Sequence, residues 1–248
     1  MKNGYVHSFF SGGMVDGPGI RTLVFLTGCP LRCKYCHNPD TWEKTSGIPR
    51  TLDYVMDQIL KYRTYYKTTG GGVTISGGEP FAQSEFLTEI LKACKSYGIH
   101  TALDTSGYTS LAQARETLRY TDLLLLDVKG FSHATYKNVT GAKIQTMLEF
   151  FGVANEMGID TWIRYVLVPG LTDNLDEIKE LATFLSQYEI VKKVDVLPFH
   201  KVGEHKWEEK NIPYTLTDTQ PPSEALVAQV REILRLAKTV APGSHIRI

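Results

Sequence analysis

Short β-branched runs alternate with amphipathic helical patterns six times along this chain, and that alternation restricts it to an α/β fold built on a mostly parallel sheet. Strands are predicted at Arg21–Leu26, Gly72–Ser76, Thr101–Leu103, Leu123–Val128, Trp162–Val168 and Val194–Leu197. Helices are predicted over Thr51–Tyr66, from Ser84 through Tyr97, and near Leu111–Arg119, Thr146–Met157 and Leu175–Tyr188. Gly98 and Gly158 stand where helix C-termini favour a left-handed residue. A last helix starts near Ser223 and puts Leu226, Val230, Ile233, Leu234 and Ala237 on one face. Six such units suit either an open doubly wound sheet or an incomplete barrel. No Pro-, Gly- or Ser-rich linker divides residues 1–248, so one domain is expected. The segment Lys201–Pro222 is long for a structureless connection, and such loops are usually functional and often mobile.

Lysine plus arginine equals aspartate plus glutamate at 27 each, which argues against a chain that coats nucleic acid or acidic lipid. The first ten residues lack a signal-peptide core, and the longest apolar runs are strand-length, so a cytoplasmic, non-membrane protein is expected. Its four cysteines then read as reduced ligands or core residues rather than disulfides. Cys94 shares an apolar stripe with Leu87, Ile90 and Leu91 and reads as core. Cys29, Cys33 and Cys36 are different: they follow the first strand in a Cys-x3-Cys-x2-Cys loop. A structural zinc site wants a fourth ligand, and His37 is awkward for that role because it adjoins Cys36. Three thiolates without an obvious fourth suggest a [4Fe–4S] cluster with one iron left open for a substrate.

The cysteine spacing, with Tyr35 before the last cysteine, resembles the signature of the radical S-adenosylmethionine superfamily. Val15-Asp16-Gly17-Pro18-Gly19-Ile20-Arg21 and Tyr35-Cys36-His37-Asn38 are similar to the glycyl-radical-enzyme activases within it. Gly70–Thr74, Ser76-Gly77-Gly78-Glu79-Pro80, Asp104–Gly107, Asp127–Lys129, Trp162–Tyr165, Val168–Gly170 and His205-Lys206-Trp207 continue the match over essentially the whole chain. The resemblance implies an incomplete (β/α)6 parallel barrel, which periodicity alone does not select. It implies that Cys29, Cys33 and Cys36 are the catalytic cluster ligands and that S-adenosylmethionine binds beside them. Gly77, Gly78 and Glu79 would receive its amino group, and Asp127, Val128 and Lys129 its carboxylate and ribose. Tyr35, Cys36 and His37 would flank the adenine, with His200 beside ribose or adenine. Asp104 and Asp127, with backbone oxygens of Thr105 and Leu125, match a monovalent-cation site, and Asp16 would help receive the substrate loop.

Each of these residues also has a plainer reading. Gly77-Gly78 serves a tight turn, Asp104 serves as a helix N-cap, Asp127 and Lys129 form a surface ion pair, and His200 is a solvated loop histidine. What favours a site is their placement, because polar motifs follow strand after strand at the C-terminal end, where parallel α/β folds bind ligands.

The activity implied is that of an oxidoreductase of anaerobic glucose metabolism. S-adenosylmethionine is reductively cleaved, and the 5′-deoxyadenosyl radical takes hydrogen from a glycine of a partner enzyme. Many such activases carry extra cysteines in a ferredoxin-like insert before the Gly-Gly-Glu strand. None lies between Cys36 and Gly77 here, which points to pyruvate formate-lyase as the partner. Flavodoxin or ferredoxin is the implied electron donor. Another glycyl-radical enzyme, such as anaerobic ribonucleotide reductase, stays open as partner, and so does a non-catalytic iron–sulfur or zinc module.

Overall fold

All six predicted parallel strands form, and the computed structural model, which describes residues 3–236, adds two that the sequence pattern did not reveal. The eight strands are β1 (Asn3–Gly13), β2 (Arg21–Leu26), β3 (Ile48–Thr51), β4 (Gly72–Gly77), β5 (His100–Thr105), β6 (Leu123–Asp127), β7 (Thr161–Leu167) and β8 (Val191–Pro198). They form one sheet in the order β3-β1-β2-β4-β5-β6-β7-β8. β2 and β4 to β8 run parallel to one another, whereas β1 is antiparallel to both β2 and β3. The sheet does not close on itself, as an incomplete barrel requires.

The helices are α1 (Leu52–Leu60), α2 (Arg63–Thr69), α3 (Ser84–Ser96), α4 (Leu111–Leu118), α5 (His133–Thr140), α6 (Ile144–Glu156), α7 (Leu175–Leu185), α8 (Glu204–Glu209) and α9 (Glu224–Leu236). The single helix expected over Thr51–Tyr66 is two. Tyr66 turns into the core and donates its hydroxyl to the carbonyl of Ile59 at 3.0 Å, beside the turn bond that the same carbonyl accepts from Tyr62 N. α5 was not anticipated, because Tyr136 and Val139 alone give a weak stripe. The expected loop 201–222 contains α8, whose Trp207 is buried. The expected position of Ala237 on the last helix lies outside the described residues.

Strand alternation sorts the side chains into two faces. Val73, Ile75, Leu103, Leu124, Leu126, Ile163, Tyr165 and Leu167 point outward and pack under the helices. Each such side chain, taken fully out of water, contributes roughly 1.5–3 kcal/mol. Cys94 lies in this layer, fully buried, with its sulfur 3.9 Å from that of Met56. The opposite parity faces inward: Ala102, Leu123 and Leu125 fill the lower part against Trp162. Nearer the C-terminal strand ends the same parity presents Ser76, Asp104, Asp127, Arg164 and Leu197. No helix among the described residues is long and apolar enough to cross a membrane.

Candidate active site

The cysteine loop follows β2 and has no ladder partner, so its backbone donors must find acceptors elsewhere. Gly28 and Cys29 donate to the carbonyls of Thr41 and Trp42 at 2.7 and 2.9 Å. Arg32 and Lys34 donate to Thr140 and Val139 at the end of α5, both at 3.0 Å. Pinned from both sides, the loop holds Cys29, Cys33 and Cys36 on the wall of a cavity of about 430 Å³.

Most of the expected site residues meet there. Tyr35, His37, Gly77, Gly78 and Asp104 line the cavity with the cysteines, and so do Thr105, Asp127, Lys129 and His200. Lys129 Nζ donates to Asp127 Oδ2 at 2.9 Å, so this pair belongs to the site and not to the outer surface. His37 and His200 pack with ring centroids 4.4 Å apart, and His37 Nε2 lies 3.1 Å from the His200 carbonyl, which makes that nitrogen the donor.

Four expected residues do not line it. Glu79 is buried as a brace: its carboxylate accepts from Thr105 Oγ1, from the backbone N–H and hydroxyl of Ser106, and from Phe81 N, at 2.5–3.1 Å. Its side chain is therefore used up in joining the loops after β4 and β5. Val128 packs in the outer core, Leu125 lies in the inner apolar layer, and Asp16 contributes at one remove through Arg164. The glycines also meet a packing requirement. A Cβ on Gly77, at φ +128°, would sit 2.1 Å from the carbonyl oxygen of Leu26, and one on Gly78 would sit 2.5 Å from that of Gly28. Both are glycine because the β4 loop presses against β2 and the loop that follows it.

Arg164 is the residue that sequence reasoning assigned no site role. Register pairs it with Asp127 on β6 and Asp195 on β8. Its Nη1 lies 3.3 Å from both Asp16 Oδ1 and Asp104 Oδ1, and its Nε lies 3.9 Å from Asp127. Arg164 thus lies between Asp104 and Asp127, two carboxylates that would otherwise repel each other. Burial pushes Asp104 above the usual carboxylate range, with Arg164 working against it. Burial also raises Asp127, but Lys129 and Arg164 outweigh it and hold that carboxyl below the usual range. A charged residue centred in a β-branched run, with an acid closing the strand before it and another within the strand after it, was the available signal.

The thiols are chemically poised for a cationic centre. Burial pushes Cys29 and Cys33 up to about 12, with Glu79 adding to the effect at Cys29. Burial raises Cys36 as well, against hydrogen bonds from the Asn38 backbone and the Trp42 side chain. Thiolates form here only against metal charge, and metal uptake must release protons. A raised folded pKa contributes stability below the unfolded value of about 8.5 that is lost as pH climbs toward 12. Iodoacetamide labelling of Cys29 in the metal-free chain should still accelerate nearly tenfold per pH unit between 9 and 11. A plateau by pH 9.5 would refute the shift.

The donor set fits a cluster with an open iron. Three thiols line the cavity without a fourth, and among the described residues no three His, Cys, Asp or Glu groups converge tightly enough for a single ion. One buried oxygen on the cavity wall, Tyr35 Oη, has no hydrogen-bond partner and is available to a bound polar molecule, while Asp104 Oδ1 has only the ion pair with Arg164.

Residues 23–185 match the Radical SAM superfamily. A pyruvate formate-lyase-activating enzyme of Clostridium pasteurianum is 46% identical over 220 residues, covering 89% of this chain and 92% of that one. The pyruvate formate-lyase 1-activating enzyme of Escherichia coli K12 is 40% identical over 233 residues, 93% and 95% of the two chains. The crystal structure of a domain of the pyruvate-formate lyase-activating enzyme from Bacteroides vulgatus superposes with a TM-score of 0.57 at 30% identity, over 68% of this chain and 95% of that one. The chain therefore belongs to the radical SAM superfamily and, within it, to the pyruvate formate-lyase-activating enzymes.

Proposed function

We propose that this chain activates pyruvate formate-lyase by generating a glycyl radical on it. The observation that carries the reading is the set of three cysteines, without a fourth, around a cavity at the C-terminal ends of the parallel strands. Bound there, a [4Fe–4S] cluster and S-adenosylmethionine supply one-electron reductive cleavage and a radical able to take hydrogen from carbon.

The protein's own part is to hold and enclose them. Cys29, Cys33 and Cys36 carry the cluster. Gly77 and Gly78 offer backbone to the amino group of the methionine moiety, and Lys129 offers its ammonium to the carboxylate. Lys129 is suited to this because Asp127 keeps it charged despite burial. Tyr35, His37 and His200 form the wall for the adenosine. Asp104, Thr105, Leu125 and Asp127 offer oxygens to a monovalent cation, sharing the two carboxylates with Arg164. Glu79 and Val128 act from behind this surface, shaping the loops that bear it. Asp16, joined to Arg164, stands where the glycine loop of the partner would arrive.

The chain works as one domain in the cytoplasm, apart from membrane and nucleic acid, and takes its electron from a flavodoxin or ferredoxin. The balanced charge supports the separation from nucleic acid and acidic lipid.

The test gives the reduced, reconstituted chain S-adenosylmethionine and either pyruvate formate-lyase or anaerobic ribonucleotide reductase. Methionine and 5′-deoxyadenosine should appear in step with a protein radical on pyruvate formate-lyase. A radical on the reductase alone would replace the partner and leave the chemistry. No cofactor cleavage by an intact, reduced cluster would remove the enzyme reading.

A further inference from the structure

α8 lies across the cysteine loop and is fastened to it. Lys206 Nζ lies 2.8 Å from Asn38 Oδ1 and 3.1 Å from Asp40 Oδ2, and His7 Nε2 from β1 lies 2.9 Å from the same Asp40 oxygen. The approach is close: a Cβ on Gly203 would sit 2.7 Å from the Cα of His37. This latch buries Trp207, whose indole N–H donates to the carbonyl of Cys36 at 2.9 Å. Trp42 meets Trp207 edge to face, 5.1 Å between centroids at 86°, and lines the cavity beside Cys36. The Trp42 carbonyl accepts from Cys29 N at 2.9 Å. The matched motif His205-Lys206-Trp207 has no place in the function described above.

We propose that Trp207, braced by the edge of Trp42, is a positioning residue that grips Cys36 by its carbonyl and thereby sets how readily a cluster carried on Cys36 accepts an electron. The inference rests on the cluster reading of the site. Reduction adds one electron, drawn from the donor, and increases the negative charge on the sulfur ligands. An N–H dipole aimed at that ligand stabilises the reduced form more than the oxidised form. Removing the dipole should make reduction harder.

The experiment compares wild type and Trp207→Phe after anaerobic reconstitution. Iron and sulfide are counted, and the potential is read by paramagnetic-resonance-monitored titration with a low-potential chemical reductant. Trp207→Phe, holding four irons, should show its one-electron reduction constant lowered about tenfold, a shift of about 59 mV. Tyr214→Leu is the control. It loosens the ring packed 5.1 Å from Trp207 but leaves the indole N–H, so its potential should stay with wild type. A full cluster with a constant within twofold of wild type in Trp207→Phe would overturn the proposal. So would an equal shift in Tyr214→Leu, or loss of the cluster from Trp207→Phe while circular dichroism shows it folded. A wild-type chain that takes up no four-iron cluster would instead defeat the reading on which the proposal stands.

Discussion

Alanine at Cys29, Cys33 or Cys36 is expected to leave the chain without a stable four-iron cluster, while alanine at Cys94 leaves iron and sulfide content unchanged. The contrast follows from where the four sulfurs lie. Three line one cavity, and losing any of them leaves two thiols, too few to hold the cluster with one iron open. Cys94 is fully buried in the outer apolar layer, and burial alone holds its thiol up at about 12. Its replacement removes one sulfur from a packed core and should cost about 1–2 kcal/mol, lowering the melting temperature by a few degrees. Loss of the cluster from the Cys94 variant would contradict the three-ligand site.

Arg164→Met should be the most damaging change away from the cysteines. It leaves Asp16 and Asp104 without the guanidinium 3.3 Å from each, and Asp127 with Lys129 as its remaining close cation. Breaking a buried pair by removing one partner costs about 3–5 kcal/mol, because the other charge stays buried and uncompensated. The pH dependence has a definite sign. Without Arg164, Asp104 keeps only the influences that raise its pKa, apart from the hydroxyl of Ser76 that donates to it. A carboxylate with a raised folded pKa contributes its stability below the unfolded value of about 3.9 and loses it as pH rises through the folded value. The deficit relative to wild type, measured by urea unfolding of the metal-free chains, should be full at pH 7 and clearly smaller near pH 4. Equal deficits at both pH values would show that Arg164 serves packing and not charge.

The parallel core was legible because its strands are short β-branched runs and its helices keep the 3.6 period, both local signals. β1 was not, because it is half exposed and its register shifts between Val6 and Ser8 and again between Ser11 and Gly13, so its alternation breaks. β3 is four residues long, contains Pro49, and is a strand only because β1 lies beside it. Within the site, cysteine spacing carried the cluster residues. The brace formed by Glu79 was hidden because Thr105 and Ser106 come beside it only through the pairing of β4 with β5. The role of Arg164 needs two further strand registers. The grip of Trp207 on Cys36 depends on a helix folded back across 171 positions.

This chain makes a radical on one glycine of pyruvate formate-lyase. Electron paramagnetic resonance of that partner, after anaerobic incubation with the reduced chain and S-adenosylmethionine, tests it most directly. A doublet is predicted, since one α-hydrogen stays on the radical carbon. It should vanish when the partner's glycine is alanine, because the added methyl hinders approach and disfavours the planar radical. Stoichiometric release of methionine and 5′-deoxyadenosine with no doublet on pyruvate formate-lyase would contradict the account.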